Sequence, residues 1–115
     1  IFLGIELALV LAVSAFQYRE DPLAYRVKVN QAALDRAVLS VPQGSSKTPR
    51  TVGSFVVRET TRIENVVWFE CWDFVFSVEG IAYSPTPNIP DRQGLPCRYE
   101  KLSGNWYFWR EDHFQ

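Results

Sequence analysis

The chain has 115 residues, 47% hydrophobic and 15% aromatic, and carries a formal net charge of −1. Twelve Lys and Arg against 13 Asp and Glu exclude the overall basic footprint of a nucleic-acid binder. Two cysteines and one histidine cannot complete a tetrahedral zinc site without carboxylates, and no Gly-rich phosphate cradle is present, so neither a metal nor a cofactor is expected.

Ile1 to Phe16 form a nearly unbroken apolar run, interrupted only by Gly4, Glu6 and Ser14. The run reads as one membrane-spanning helix over residues 1–18, anchoring a single extramembrane domain over 19–115. Sixteen helical residues reach roughly 24 Å against a hydrocarbon core of ~30 Å. The chain also contains no Met, so a start upstream of Ile1 is expected. The rival reading is a secretory signal peptide, with Leu7 to Val13 as its apolar stretch and Val13-Ser14-Ala15 as its cleavage site.

Gly4, Ala8, Ala12 and Ala15 recur at helical spacing and form a small-residue stripe against which another helix can pack closely. Glu6 points about 200° away from Gly4. An ionisable group there either snorkels to a membrane surface or faces protein. Two non-lipid faces imply neighbours on both sides, as in a subunit of a membrane complex. Tyr18 and Arg19 read as interfacial anchors. No side of the membrane is assigned to the domain, because Arg19, Arg26 and Lys28 flank only one end of the span.

Asp21-Pro22 reads as an N-cap followed by Pro at the first helical position. Residues 24–30 fit helix or strand, since Tyr25, Val27 and Val29 also alternate with polar neighbours. Gln31 to Ser40 is the firmer helix. Pro42 to Ser54 reads as a polar loop. Strand signals follow over 55–61, Glu64-Asn65 marks a turn, and Val66 to Val78 reads as one long aromatic strand. In that strand Trp68, Trp72, Phe74, Phe76 and Val78 would share one face, and Phe69, Cys71, Asp73, Val75 and Ser77 the other. A strand apolar on both faces is expected to be central and covered twice. Gly80 ends or bulges it, and Ile81 to Tyr83 continue. Ser84 to Cys97 holds four prolines and reads as an ordered arm. A hairpin closes the chain: 98–102, a Ser103-Gly104-Asn105 turn, then 106–110. The expected fold is α+β, one helix on an antiparallel sheet of about four strands.

Cys71 and Cys97 pair in an oxidising compartment, closing a loop worth roughly 3 kcal/mol, or remain thiols in a reducing one. Glu70, between Trp68 and Trp72, is the first candidate for an acid with a raised pKa, against a salt bridge to Arg58, Arg62, Arg98 or Arg110. Asp73 is the second. His113, close to the C-terminus, reads as an exposed tail residue. Trp106, Tyr107 and Trp109 put aromatics on both faces of the last strand. They are expected to serve as core or as docking surface, with Pro87 and Ile89 of the arm as further docking candidates.

Tyr99 to Leu102, Gly104 and Trp106 form a strand, a Gly-containing turn and a strand with an early Trp. That ending resembles the close of NTF2-like domains, and a helix followed by a curled antiparallel sheet is similar to cystatin-like folds as well. The resemblance spans about twenty residues, lacks the family's longer helical start, and implies a cupped sheet that holds a small apolar ligand. Gly104-Asn105-Trp106 also resembles the lipocalin GxW motif, but in the wrong part of the chain. The expected function is a non-catalytic accessory subunit of a membrane protein complex, contacting lipid and partner subunits. The alternative is a membrane-anchored domain with an apolar ligand lined by Trp68, Trp72 and Trp106.

Overall fold

The computed structural model describes residues 22–113. The expected span over 1–18, with the Gly4, Ala8, Ala12 and Ala15 stripe and Glu6, lies outside the described residues. Among the described residues no helix is long and apolar enough to cross a membrane.

Two short helices come first, α1 (Pro22–Val29) and α2 (Gln31–Ser40). The ambiguous stretch over 24–30 is therefore helix, broken at Asn30. Asn30 has φ −102° and ψ 6°, and its side chain makes no capping hydrogen bond to α2. It accepts the Ser54 amide at 3.0 Å and donates to the Arg26 carbonyl at 2.8 Å and to Ser54 Oγ at 3.0 Å. The bend between the helices is thus bolted to a distant turn. Arg62 closes the other end of α2, donating from Nη1 to the carbonyls of Val38 and Val41, each at 3.0 Å. A cation there satisfies orphan carbonyls and complements the negative end of the helix dipole.

Eight strands follow: β1 (Gly44–Ser46), β2 (Arg50–Val52), β3 (Phe55–Val57), β4 (Glu59–Ile63), β5 (Val66–Asp73), β6 (Ser77–Tyr83), β7 (Cys97–Ser103) and β8 (Trp106–Asp112). Six build one antiparallel sheet in the order β1-β4-β5-β6-β8-β7, and β2 and β3 form a separate hairpin. The chain is α+β, with one more helix and a larger sheet than expected. The polar segment 42–54 contributes two of the unforeseen strands, β1 and β2. The long aromatic strand is in fact two, because β5 stops at Asp73 and β6 starts at Ser77.

Each face of the sheet has its own cover. On the helix side Val27, Leu34, Val38, Phe55, Val67, Phe69, Ile81 and Trp106 form the larger core. Trp106 stacks on Phe69 with ring centres 5.8 Å apart, meets Tyr83 edge-on at 5.6 Å, and donates its indole N–H to Asp35 at 2.9 Å. On the other side Val66, Trp68, Val78, Ala82 and Trp109 form a second core, with Ile89, Cys97 and Tyr99 packed against it. The second cover is the Pro-rich arm folding back on its own sheet. Trp68 donates to the Tyr99 hydroxyl at 2.9 Å, and Tyr99 donates in turn to the Pro90 carbonyl at 2.9 Å. Three fully buried indoles each remove about 150–250 Å² from water, or roughly 4–6 kcal/mol apiece before entropic losses.

A β-bulge interrupts β5 between Glu70 and Trp72, where it pairs with β6. The extra residue puts Cys71 and Trp72 on the same side, both packed toward the helix-side core. Trp72 therefore does not share a face with Trp68. Cys71 and Cys97 are both free thiols, on opposite faces and on strands separated by β6 and β8. Three strand spacings amount to roughly 14 Å, twice what a disulfide can bridge. No disulfide joins them. Burial pushes the Cys71 thiol up to about 12, which leaves it unreactive.

Candidate docking tip and carboxylate groove

Phe74, Val75 and Phe76 connect β5 to β6, and they are 52%, 80% and 64% exposed. The loop is tightly held: Phe74 N donates to the Ser77 carbonyl at 2.7 Å, and His113 N donates to the Phe76 carbonyl at 2.8 Å. Three successive apolar side chains thus stand more than half exposed at this end of the sheet. Leu95, 44% exposed, lies at the same end, because Cys97 and the base of the tip meet through Glu111. A run of three exposed apolar residues is costly for solubility, which makes this turn the candidate docking surface.

The residues first expected to dock lie elsewhere. Trp106 and Trp109 are fully buried and Tyr107 is 9% exposed, so packing takes the place of docking for all three. Of the two arm candidates, Ile89 is half-buried against the second core and Pro87 stays exposed. His113 is exposed, as its position in the chain suggests. Trp68 and Trp106 stand on opposite faces of the sheet, so no one cavity can be lined by both together with Trp72.

Glu70 and Glu59 sit directly opposite each other on β5 and β4. They line a groove of about 290 Å³ with Lys47, Pro49, Arg58 and Asp73. None of the four guanidinium groups proposed as partners pairs with the Glu70 carboxylate, although the Arg58 backbone amide donates to the Glu70 carbonyl at 2.7 Å. Arg58 pairs with Asp73 at 3.4 Å, Arg62 serves the α2 carbonyls, and Arg98 and Arg110 both pair with Asp112. Partial burial raises the Glu70 pKa, and the hydrogen bond and charge of Glu59 raise it further, while Arg92 pulls it down. The Glu59 hydrogen bond thus favours a proton on the Glu70 carboxyl. No Ser, Cys or His lines the groove with them, so no nucleophile is paired with that proton. Among the described residues no group of three His, Cys, Asp or Glu is arranged to hold a metal ion.

The raised Glu70 pKa has a stability consequence. A folded-state pKa above the unfolded value contributes stability below the ordinary carboxylate range and loses it as pH rises through the folded pKa. Glu70→Gln is therefore expected to raise Tm at neutral pH and to flatten the fall in stability above pH 4.5, the carboxyl's ordinary value. Thermal melts of both chains across that range are the check. A Gln variant that melts lower at neutral pH would show that the carboxylate is held ionised instead.

Comparisons with protein-family models, with curated proteins and with solved structures return no match.

Proposed function

We propose that the chain is a non-catalytic accessory subunit of a membrane protein complex, tethered by residues 1–18 and docked on a partner subunit through Phe74, Val75 and Phe76. The observation that carries this reading is the run of three consecutive exposed apolar side chains at the β5–β6 turn. A hairpin held by backbone hydrogen bonds at both ends presents two aromatic anchors at little conformational cost, which suits a hot spot of binding. The anchor keeps the tip at one height above the bilayer, so a neighbouring membrane subunit is met at high local concentration. The apolar run 1–16 and the Gly4, Ala8, Ala12, Ala15 stripe support the same assignment from the sequence.

The test is a mild-detergent extract of the native membrane, resolved on a native gel. The unmodified chain is expected to co-migrate with a large membrane complex at fixed stoichiometry. A chain carrying Phe74→Ser, Val75→Ser and Phe76→Ser should run as a free species. Those side chains are exposed, so its folding stability should change only by about 0.5 kcal/mol. An unmodified chain that runs alone would end this reading.

A further inference from the structure

We propose that the cleft between α2 and the β2–β3 hairpin is an anion site that takes a phosphate group, presented by an anionic lipid headgroup or by a free phosphorylated solute. The charge of the chain is unevenly placed. Residues 22–62 hold seven Lys or Arg against two Asp or Glu, whereas residues 63–113 hold four against eight. A near-neutral total therefore hides a basic half made of both helices, the small hairpin and the β1–β4 edge.

Within that half the arginines are not equivalent. Arg58 is neutralised by Asp73, while Arg92, Arg98 and Arg110 belong to the acidic half and pair with its carboxylates. Arg26 and Arg62 are committed to backbone carbonyls of Ser54, Val38 and Val41. Among the described residues only Arg36 and Arg50 have neither a carboxylate nor a carbonyl partner. Arg50 gives one bond to Ser40 Oγ at 3.3 Å, and its guanidinium lies 6.0 Å from the Phe69 ring centre. Both arginines line the same cleft.

The helix periodicity explains how the cleft arises. Leu34 and Val38 point into the core, which leaves Ala33, Arg36, Ala37 and Ser40 on the side facing the hairpin. Two alanines keep the floor low, and the space above them measures about 380 Å³. Thr51 and Ser40 add hydroxyls, and no acidic side chain lines the cleft. Asp35 is turned away, accepting the Trp106 indole N–H. The opposite wall is rigid, because Asn30 and Arg26 hold the Gly53-Ser54 turn to the helix junction and Gly53 takes φ 58°. Two open guanidinium forks with adjacent hydroxyls match a doubly charged tetrahedral oxyanion better than a single carboxylate. The site is lined by none of the tip residues and does not rest on the subunit reading.

The test uses the full chain in nanodiscs and reads amide hydrogen exchange over residues 33–40 and 50–53. Phosphatidylcholine discs are compared with discs containing phosphatidic acid, and with phosphatidylcholine discs given millimolar inorganic phosphate. Protection that appears only with phosphatidic acid assigns the site to a lipid headgroup. Protection by inorganic phosphate assigns it to a soluble phosphate. Each guanidinium near an anionic surface is worth about fivefold, so Arg36→Gln with Arg50→Gln should weaken the response roughly thirtyfold. The control, Arg98→Gln with Arg110→Gln, should leave it unchanged. No protection under either condition overturns the proposal. An equal loss in the control also overturns it, since the response would then be diffuse charge.

Discussion

Glu111→Ala is expected to destabilise the domain by about 3–5 kcal/mol, because it strands a buried guanidinium. Arg92 and Glu111 are 5% and 3% exposed at their side chains and meet at 3.4 Å. Their surroundings are apolar: Arg92 lies 4.7 Å from the Trp109 ring centre, and its Nε has no hydrogen-bond partner. A cation stacked on an indole and already short of one bond has little to replace the lost carboxylate. The Cys97 thiol, 3.8 Å from Glu111 Oε2, is only a weak donor and cannot substitute for it. Urea titration of the full chain, followed by tryptophan fluorescence, measures the loss directly. The pair is not expected to be worth the same amount in absolute terms. Arg92→Met combined with Glu111→Leu should recover most of the stability, since apolar replacement removes both desolvation costs together. A single variant that loses less than about 1 kcal/mol would mean that water reaches the pair.

Gly80→Ala should be as damaging for a different reason. A Cβ built at Gly80 would lie 1.9 Å from the Phe69 carbonyl oxygen and 2.9 Å from Trp109 Nε1. Neither neighbour can yield. The carbonyl belongs to the strand backbone beside the bulge, and the indole is buried and donates to the Ile81 carbonyl at 3.2 Å. Overpacking a well-filled core costs about 1–3 kcal/mol, and a collision with backbone belongs at or above the top of that range. The expected result is a large fall in Tm with altered tryptophan emission. An unchanged melt would mean that β5 and β6 can separate at the bulge without loss.

How far the sequence carries this fold depends on where its punctuation lies. Glu64-Asn65 and Ser103-Gly104-Asn105 are turn residues, and the β4–β5 and β7–β8 hairpins fall where they indicate. Glu64 even takes the left-handed φ of 55° that a two-residue hairpin turn demands. The turn at Phe74, Val75 and Phe76 has no Gly, Pro or Asn, and its apolar residues continue the strand pattern without a break. Those same three side chains are the exposed tip, so the missing turn signal also hid the best docking candidate. The bulge at Cys71 shifts the alternation by one residue, which no periodicity can foretell, and it moved Trp72 to the other face. The double cover expected over β5 holds, but the second layer is the arm of the same chain.

Strand order lay furthest from view. The arm leaves β6, crosses the sheet and begins β7 at the outer edge, and β8 then returns to pair with β6. That crossover is non-local, and it alone separates Cys71 from Cys97 and brings Arg92 onto Glu111. The basic cleft was equally hidden, because Arg36 and Arg50 are fourteen positions apart and become neighbours only when the small hairpin docks on α2.

The most direct test of the docking account is a photo-crosslinking amino acid placed at Val75 in the full chain, irradiated in the native membrane. One discrete adduct with a membrane protein is expected from position 75. Position 56, also apolar and 62% exposed but on the small hairpin, should give none. No protein adduct from position 75, or adducts with lipid alone, would contradict it.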